Sequence, residues 1–277
     1  YLFVDSSQNS NTNESFFCFH TAYTSTVMQA FFDAAENGDI DRLRRFVNGT
    51  ADLNAKDKYG NTALMLAAWN GNIECAQMLV NAKADVNSKD KRGNTALIFA
   101  AWNDNTECAQ MLVDAKADIN AKDNYGNTAL IVAINQGKSK CTQLLIEAKA
   151  NIEAKEEGGA TALVWAAWMG NAECVSLLVA AKANLESQDE ASNTALIVAA
   201  SEGDSECVQL LVDANADVNA KNKESDTALL WAALEDHFEC VQLLADANAD
   251  VHAQDKSNRT ALSLAAAKGD AKCTRAL

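Results

Sequence analysis

Apolar and polar positions recur along this chain with a period of 33 residues. One period, KDKYGNTALMLAAWNGNIECAQMLVNAKADVNS, runs from a polar stretch ending at Thr62 into an apolar run. A Gly71-Asn72 break, a second striped run and a polar return through Asp85 follow. Leu64, Ala67 and Ala68 stand at i, i+3 and i+4, as do Cys75, Met78 and Leu79, which is the apolar stripe of a short helix. The pattern predicts a helix over Ala63 to Ala68, opened by Thr62, whose hydroxyl can accept an otherwise orphan N–H. A second helix follows the glycine break.

Seven threonines hold the register: Thr62, Thr95, Thr128, Thr161, Thr194, Thr227 and Thr260. Each precedes Ala-Leu, and Ala-Ala comes three residues after that leucine except at Ala133-Ile134. A hairpin of two such helices cannot bury its apolar face alone. Neighbouring units must stack, and the core becomes continuous along the array, with alanine allowing close approach. The cysteines obey the same register. Cys75, Cys108, Cys141, Cys174, Cys207, Cys240 and Cys273 occupy one column, and only Cys18 lies outside it. Stacked helices are about 8–10 Å apart, whereas disulfide Cα atoms are about 4.4–6.8 Å apart, so neighbours in the column are expected to remain free thiols packed as small hydrophobes.

The motif Asp-x-x-Gly-x-Thr-x-Leu-x-x-Ala-Ala, followed by Gly-Asn-x-Glu, Leu-Val and Ala-Asp-Val-Asn, closely resembles the ankyrin repeat. The resemblance covers roughly residues 28 to 277 and implies an all-α solenoid of stacked helix-turn-helix units with short β-hairpin-like loops. Residues 28–57, including FFDAAENGDIDRLRRFVNGTADLNAKD, read as an N-terminal capping repeat, with Arg42 in the cysteine column and Asp33, Asp41, Arg44 and Arg45 adding charge. Residues 58–277 read as seven repeats, the last truncated. Because the chain starts at Tyr1 and stops at Leu277 within a second helix, a fragment of something longer is expected. Residues 1–27 are rich in Ser, Thr and Asn, with Phe16, Phe17, Phe19 and Tyr23 as isolated aromatics; disorder is expected there in preference to docking.

The chain departs from the family pattern in three columns. It has no proline, and the usual Pro after Thr is Ala. The usual His is replaced by Met65, Ile98, Ile131, Val164, Ile197, Leu230 or Ser263, which removes a hairpin-tying hydrogen bond. The usual Gly at the end of the second helix is replaced by Lys83, Lys116, Lys149, Lys182, Asn215 and Asn248. A left-handed cap there would strain each lysine.

A net charge of −15 and a pI near 4.6 work against binding nucleic acid or an anionic membrane and favour basic partners. Without an apolar run of membrane-spanning length or a signal sequence, the expectation is a cytoplasmic protein, with the nucleus also open. A monomer is the simplest reading, although the sequence does not fix the oligomeric state. Only His20, His237 and His252 are present, in no metal-binding or nucleophile-activating spacing, and no phosphate-binding glycine motif occurs. Gly60, Gly93, Gly126 and Gly159 read as turn residues. No enzyme activity, metal or cofactor is expected.

In ankyrin repeats, the resemblance implies, the seventh and eighth residues after Thr and the third before it face a concave groove where partners bind. The first of these columns is Trp69, Trp102, Asn135, Trp168, Ser201, Leu234 and Ala267; the next is Asn70, Asn103, Gln136, Met169, Glu202, Glu235 and Lys268. The tips are Tyr59, Arg92, Tyr125, Gly158, Ala191, Glu224 and Ser257. Aromatics and arginine are enriched at binding hot spots. The partner-binding candidates are therefore Tyr59, Trp69, Asn70, Arg92, Trp102, Asn103, Tyr125, Trp168 and Met169, continued by Glu202 and Glu235. Glu190, Glu224 and Asp236 add acidity to the later repeats, partly offset by Lys223 and Lys256, so an apolar partner segment leading into a basic one is expected. The contrary reading is that repeated Trp records duplication and that acidic faces only confer solubility. Trp165 and Trp231 belong to a separate column, with Leu66, Phe99, Val132, Val198 and Leu264, and read as core or core edge. Asn54, Asn87, Asn120 and Asn219 close the return turns; the resemblance also implies that such asparagines can be hydroxylated. The function expected is a protein-interaction scaffold or adaptor. The alternatives are the recognition arm of a longer enzyme, channel or ubiquitin-ligase adaptor, and a secreted effector that occupies a host protein.

Overall fold

The computed structural model describes residues 26–49 and 51–277, over which sixteen helices follow one another with no strand. The first pair is α1 (26–36) and α2 (Ile40–Val47). The pairs α3 (Ala63–Asn70) with α4 (Ile73–Asn81), α5 (Ala96–Trp102) with α6 (Thr106–Asp114), and α7 (Ala129–Asn135) with α8 (Ser139–Glu147) follow. Then come α9 (Ala162–Trp168) with α10 (Ala172–Ala180), α11 (Ala195–Glu202) with α12 (Ser205–Asp213), α13 (Ala228–Leu234) with α14 (Phe238–Asp246), and α15 (Ala261–Lys268) with α16 (Ala271–Ala276). The extensive contacts run within a pair and between like helices of adjacent pairs, giving one row of first helices and one of second helices. The aromatics Phe16, Phe17, Phe19 and Tyr23, and Cys18, lie outside the described residues.

The two rows bury their residues differently. Ala63, Leu64, Met65, Ala67 and Ala68 of α3 are all buried, so the single stripe expected from periodicity is too narrow. A first helix has its own partner behind it and like helices on its flanks, leaving little of its circumference for water. In α4 only Cys75, Ala76 and Leu79 are buried, with Met78 half-buried, which is the expected stripe. The seven column cysteines are free and buried, and burial raises every thiol pKa, to about 12 at Cys141. At the far end, Leu262 is 46% exposed while its six counterparts from Leu64 to Leu229 are at most 1% exposed, because among the described residues no further helix covers that face.

Six of the seven threonine hydroxyls accept the N–H three residues on, at 3.3 to 3.4 Å. Thr161 is the exception: its buried hydroxyl has no partner. The replacements for the family histidine do not abolish local ties at two ends of the array. Met65 Sδ accepts from the Thr62 N–H, and Ser263 Oγ from the Thr260 N–H.

Between pairs, side chains and backbone form ladders with the period of the sequence. Each tip is a tight turn in which the Asp57 carboxylate accepts the N–H groups of Tyr59 and Asn61, and Asp90, Asp123 and Asp255 repeat the arrangement. Successive tips are joined by Lys91 N–H to the Tyr59 carbonyl, Asn124 to Arg92, Glu157 to Tyr125 and Glu190 to Gly158. Gly60, at φ 90°, sits at this junction, and a Cβ there would stand 2.8 Å from Lys91 N. Asn54, Asn87, Asn120 and Asn219 each accept the N–H of the residue 31 positions on, so the Asp-x-Asn return stitches one unit to the next.

The end of each second helix is where local preference and fold conflict. Lys83 N–H bonds the Val80 carbonyl and Ala84 N–H the Leu79 carbonyl, the paired bonds of a Schellman cap. Such a cap needs a left-handed residue, and Lys83, Lys116, Lys149 and Lys182 adopt φ of 71°, 66°, 66° and 63°. Asn215 and Asn248 do the same at 68° and 62°, a conformation asparagine tolerates better.

Candidate functional site

The tips and the C-terminal ends of the first helices meet along one face of the array, and three depressions lie there. The first, about 410 Å³, is walled by Tyr59, Trp69, Leu66 and Phe99, with Phe32 of α1 at one side. The second, about 390 Å³, adjoins it through Tyr59 and Trp69 and reaches Arg92, Phe99 and Trp102. A third, about 350 Å³, lies further along between Trp168, Val198, Ser201, Glu202, Trp231 and Glu235.

Local folding explains why large rings stand here. Each first helix runs past the predicted Ala68 boundary, ending at Asn70 in α3 and Trp102 in α5, so the residues after Ala-Ala still belong to its last turn. Trp69 meets Phe99 edge-on at 5.3 Å and lies 6.0 Å from Trp102, a cluster held across two units by aromatic contact. Trp168 stacks on Trp165 of the same helix at 5.4 Å with the planes 16° apart. Trp69, Trp102 and Trp168 nevertheless remain 37%, 39% and 48% exposed, and Tyr59 and Tyr125 are 60% exposed. Large rings so placed have apolar surface left to bury.

Not every sequence-predicted position is equally available. Tyr59, Trp69, Arg92 and Trp102 come together in the adjoining depressions; Trp168, Glu202 and Glu235 come together in the third. Asn103 donates to the Trp69 carbonyl at 2.8 Å and Asn70 to the Leu66 carbonyl at 3.0 Å, so both amides also brace helix ends. Tyr125 and Met169 are exposed, but line none of these three depressions.

Phe99 and Trp231 are wall residues from the column that the sequence placed in the core or at its edge. Both are half-buried, as are Leu66 and Trp165, while Val132, Val198 and Leu264 of the same column are buried. The rings of Phe99 and Trp231 reach the depressions, but ring size is not the whole cause: Leu66 is half-buried where Leu264 is buried, and Val198, although buried, also borders the third depression. A column mixing Val with Trp and Phe was the available signal.

Charge divides the face. Lys58, Lys91 and Arg92 line the first two depressions together with Glu36, Asp57 and Asp90, whereas the charged residues of the third, Asp189, Glu202 and Glu235, are all acidic. Lys58 Nζ lies 4.8 Å from the Tyr59 ring centre. Lys256 pairs with Glu224 at 3.3 Å and Lys268 with Glu235 at 3.6 Å, both in the open. Among the described residues, no group of three or more His, Cys, Asp or Glu side chains is placed to hold a metal ion, and no helix is long and apolar enough to cross a membrane.

A family model of ankyrin repeats matches in three copies, over residues 31–123, 115–189 and 181–255. Among solved structures, the ankyrin repeat domain of Bcl-3, a member of the IkappaB protein family, is 28% identical with a TM-score of 0.71, the alignment covering 78% of this chain and 97% of that one. The human ASB11 ankyrin repeat domain is 26% identical with a TM-score of 0.70, covering 78% of this chain and 96% of that one. No curated protein sequence matches. Ankyrin repeats generally mediate protein–protein interactions, and this chain, with its stacked pairs and its three matching segments, belongs to the ankyrin-repeat family.

Proposed function

We propose that the chain is a scaffold or adaptor that binds a partner protein along the concave groove formed by its tips and first helices. The observation that carries this reading is the exposed cluster of Tyr59, Trp69, Arg92, Phe99 and Trp102 around two adjoining depressions. Aromatic and arginine side chains on rigid elements bind with little loss of conformational freedom, and a preformed array needs little backbone ordering. The duplication reading explains why tryptophan recurs; it does not explain why Tyr59, Arg92 and Phe99, which lie outside that column, converge on the same space.

The partner that fits has an apolar segment against Trp69 and Trp102 and a basic one against Glu202 and Glu235. The seven column thiols, free and buried among the described residues, are compatible with the cytoplasm or the nucleus, the compartments we infer. The test is affinity capture from cell extract, comparing this chain with its Trp69→Ala/Trp102→Ala/Trp168→Ala variant after matching their helicity and stability. A partner captured by the former and lost with the latter supports the groove. An unchanged set of partners removes it as the binding surface.

A further inference from the structure

The third depression differs from the first two in a way that points to a particular guest. Its walls include two indoles, Trp168 and Trp231, and its rim includes Glu202 and Glu235, whereas no lysine or arginine lines it. The other two depressions are mixed in charge, with Lys58, Lys91 and Arg92 beside Glu36, Asp57 and Asp90. The tips flanking Trp168 are Gly158 and Ala191, so no bulky tip side chain stands where Tyr59, Arg92 and Tyr125 stand earlier in the array. Trp231 lines the depression while its Nε1 is buried without a hydrogen-bond partner, so the part of this half-buried indole that reaches the depression is ring carbon. Ring faces attract cations through their quadrupole, and carboxylates beside them add Coulombic attraction.

We propose that this depression receives the cationic head of a single lysine or arginine side chain of the partner, held between the indoles of Trp168 and Trp231 and paired with Glu202 and Glu235. The proposal rests on the groove reading and adds to it a fixed position for one basic residue. Asp189 contributes charge at the edge, but its oxygens already accept from the Asn193 backbone and side-chain amides. Glu202 enters no ion pair among the described residues. Glu235 meets only the loosely held ammonium of Lys268, at 3.6 Å with both side chains more than a third exposed. Lys268 is thus an internal competitor for the site, and its removal should favour an external cation.

The test needs no partner. The five tryptophans give five indole N–H signals, assigned by single Trp→Phe variants, and the intact chain is titrated with the capped tripeptides Ala-Lys-Ala, Ala-Arg-Ala and Ala-Gln-Ala. Saturable shifts of the Trp168 and Trp231 signals are expected with the lysine or arginine peptide and not with the glutamine peptide. Glu202→Gln, an exposed change that leaves the fold alone, should weaken binding by about two- to fivefold. Lys268→Ala should strengthen it by a similar factor. Equal shifts with the glutamine peptide, shifts led by Trp69 and Trp102, or no saturable shift would each overturn the proposal. Any of these would leave the groove reading standing, because that is decided by partner capture.

Discussion

The left-handed lysines offer the sharpest test of how this sequence meets its fold. Replacing Lys83, Lys116, Lys149 and Lys182 by glycine removes a conformation that costs about 1–2 kcal/mol for each residue bearing a Cβ. Glycine returns about 0.4–1 kcal/mol of that through greater freedom in the unfolded chain. Each change should therefore stabilise by about 0.5–1 kcal/mol, and the four together by about 2–4 kcal/mol, since the sites lie in separate units and add approximately. The side chains are exposed and enter no salt bridge among the described residues, so little else is lost. Guanidinium unfolding followed by circular dichroism measures the gain, with the quadruple alanine variant as the control. That variant makes the same change in charge and keeps the left-handed Cβ, and it should show no gain. Equal stabilisation by alanine, or none by glycine, would refute the strain argument.

Other consequences follow from single contacts. Thr161→Val should be neutral or slightly stabilising because it replaces a buried hydroxyl that has no partner, whereas Thr128→Val should lose about 1 kcal/mol with its cap bond; thermal melts compare them directly. The column thiols should resist a disulfide reagent at pH 8: with pKa pushed up to about 11 by burial at Cys108 and Cys240, about one thiol in a thousand is ionised there. Rapid native modification of the column would contradict the packing. Asp226 stands where Asn61, Asn94 and Asn127 stand elsewhere, and burial, with Asp255 nearby, raises its pKa above the unfolded value. Ionised Asp226 therefore lowers stability above its folded-state pKa, and Asp226→Asn should stabilise at neutral pH, the advantage shrinking as pH falls through that pKa. A gain independent of pH would point to another cause.

Most of the architecture was legible because one period repeats seven times, and a position that reads ambiguously once, such as Cys75, becomes clear as a column. The left-handed turn after the second helix could be located although lysine disfavours it, since the neighbouring Ala-Asp and the Asn at later repeats mark the cap. Two features depended on three dimensions. First helices are buried on nearly all sides because stacking surrounds them, which a stripe rule drawn for surface helices cannot express. The groove walls include Phe99 and Trp231, half-buried rings of the core-edge column that reach the depressions only where stacked units place them.

The central claim is that a partner lies across the tips and first helices. A photo-activatable residue placed at Arg92 on a tip, and in a second protein at Gln110 on the outward side of α6, tests it most directly in the presence of the captured partner. A cross-link is expected from position 92 and none from position 110. Cross-linking from 110 alone would place the partner on the opposite face and rule out binding in the groove.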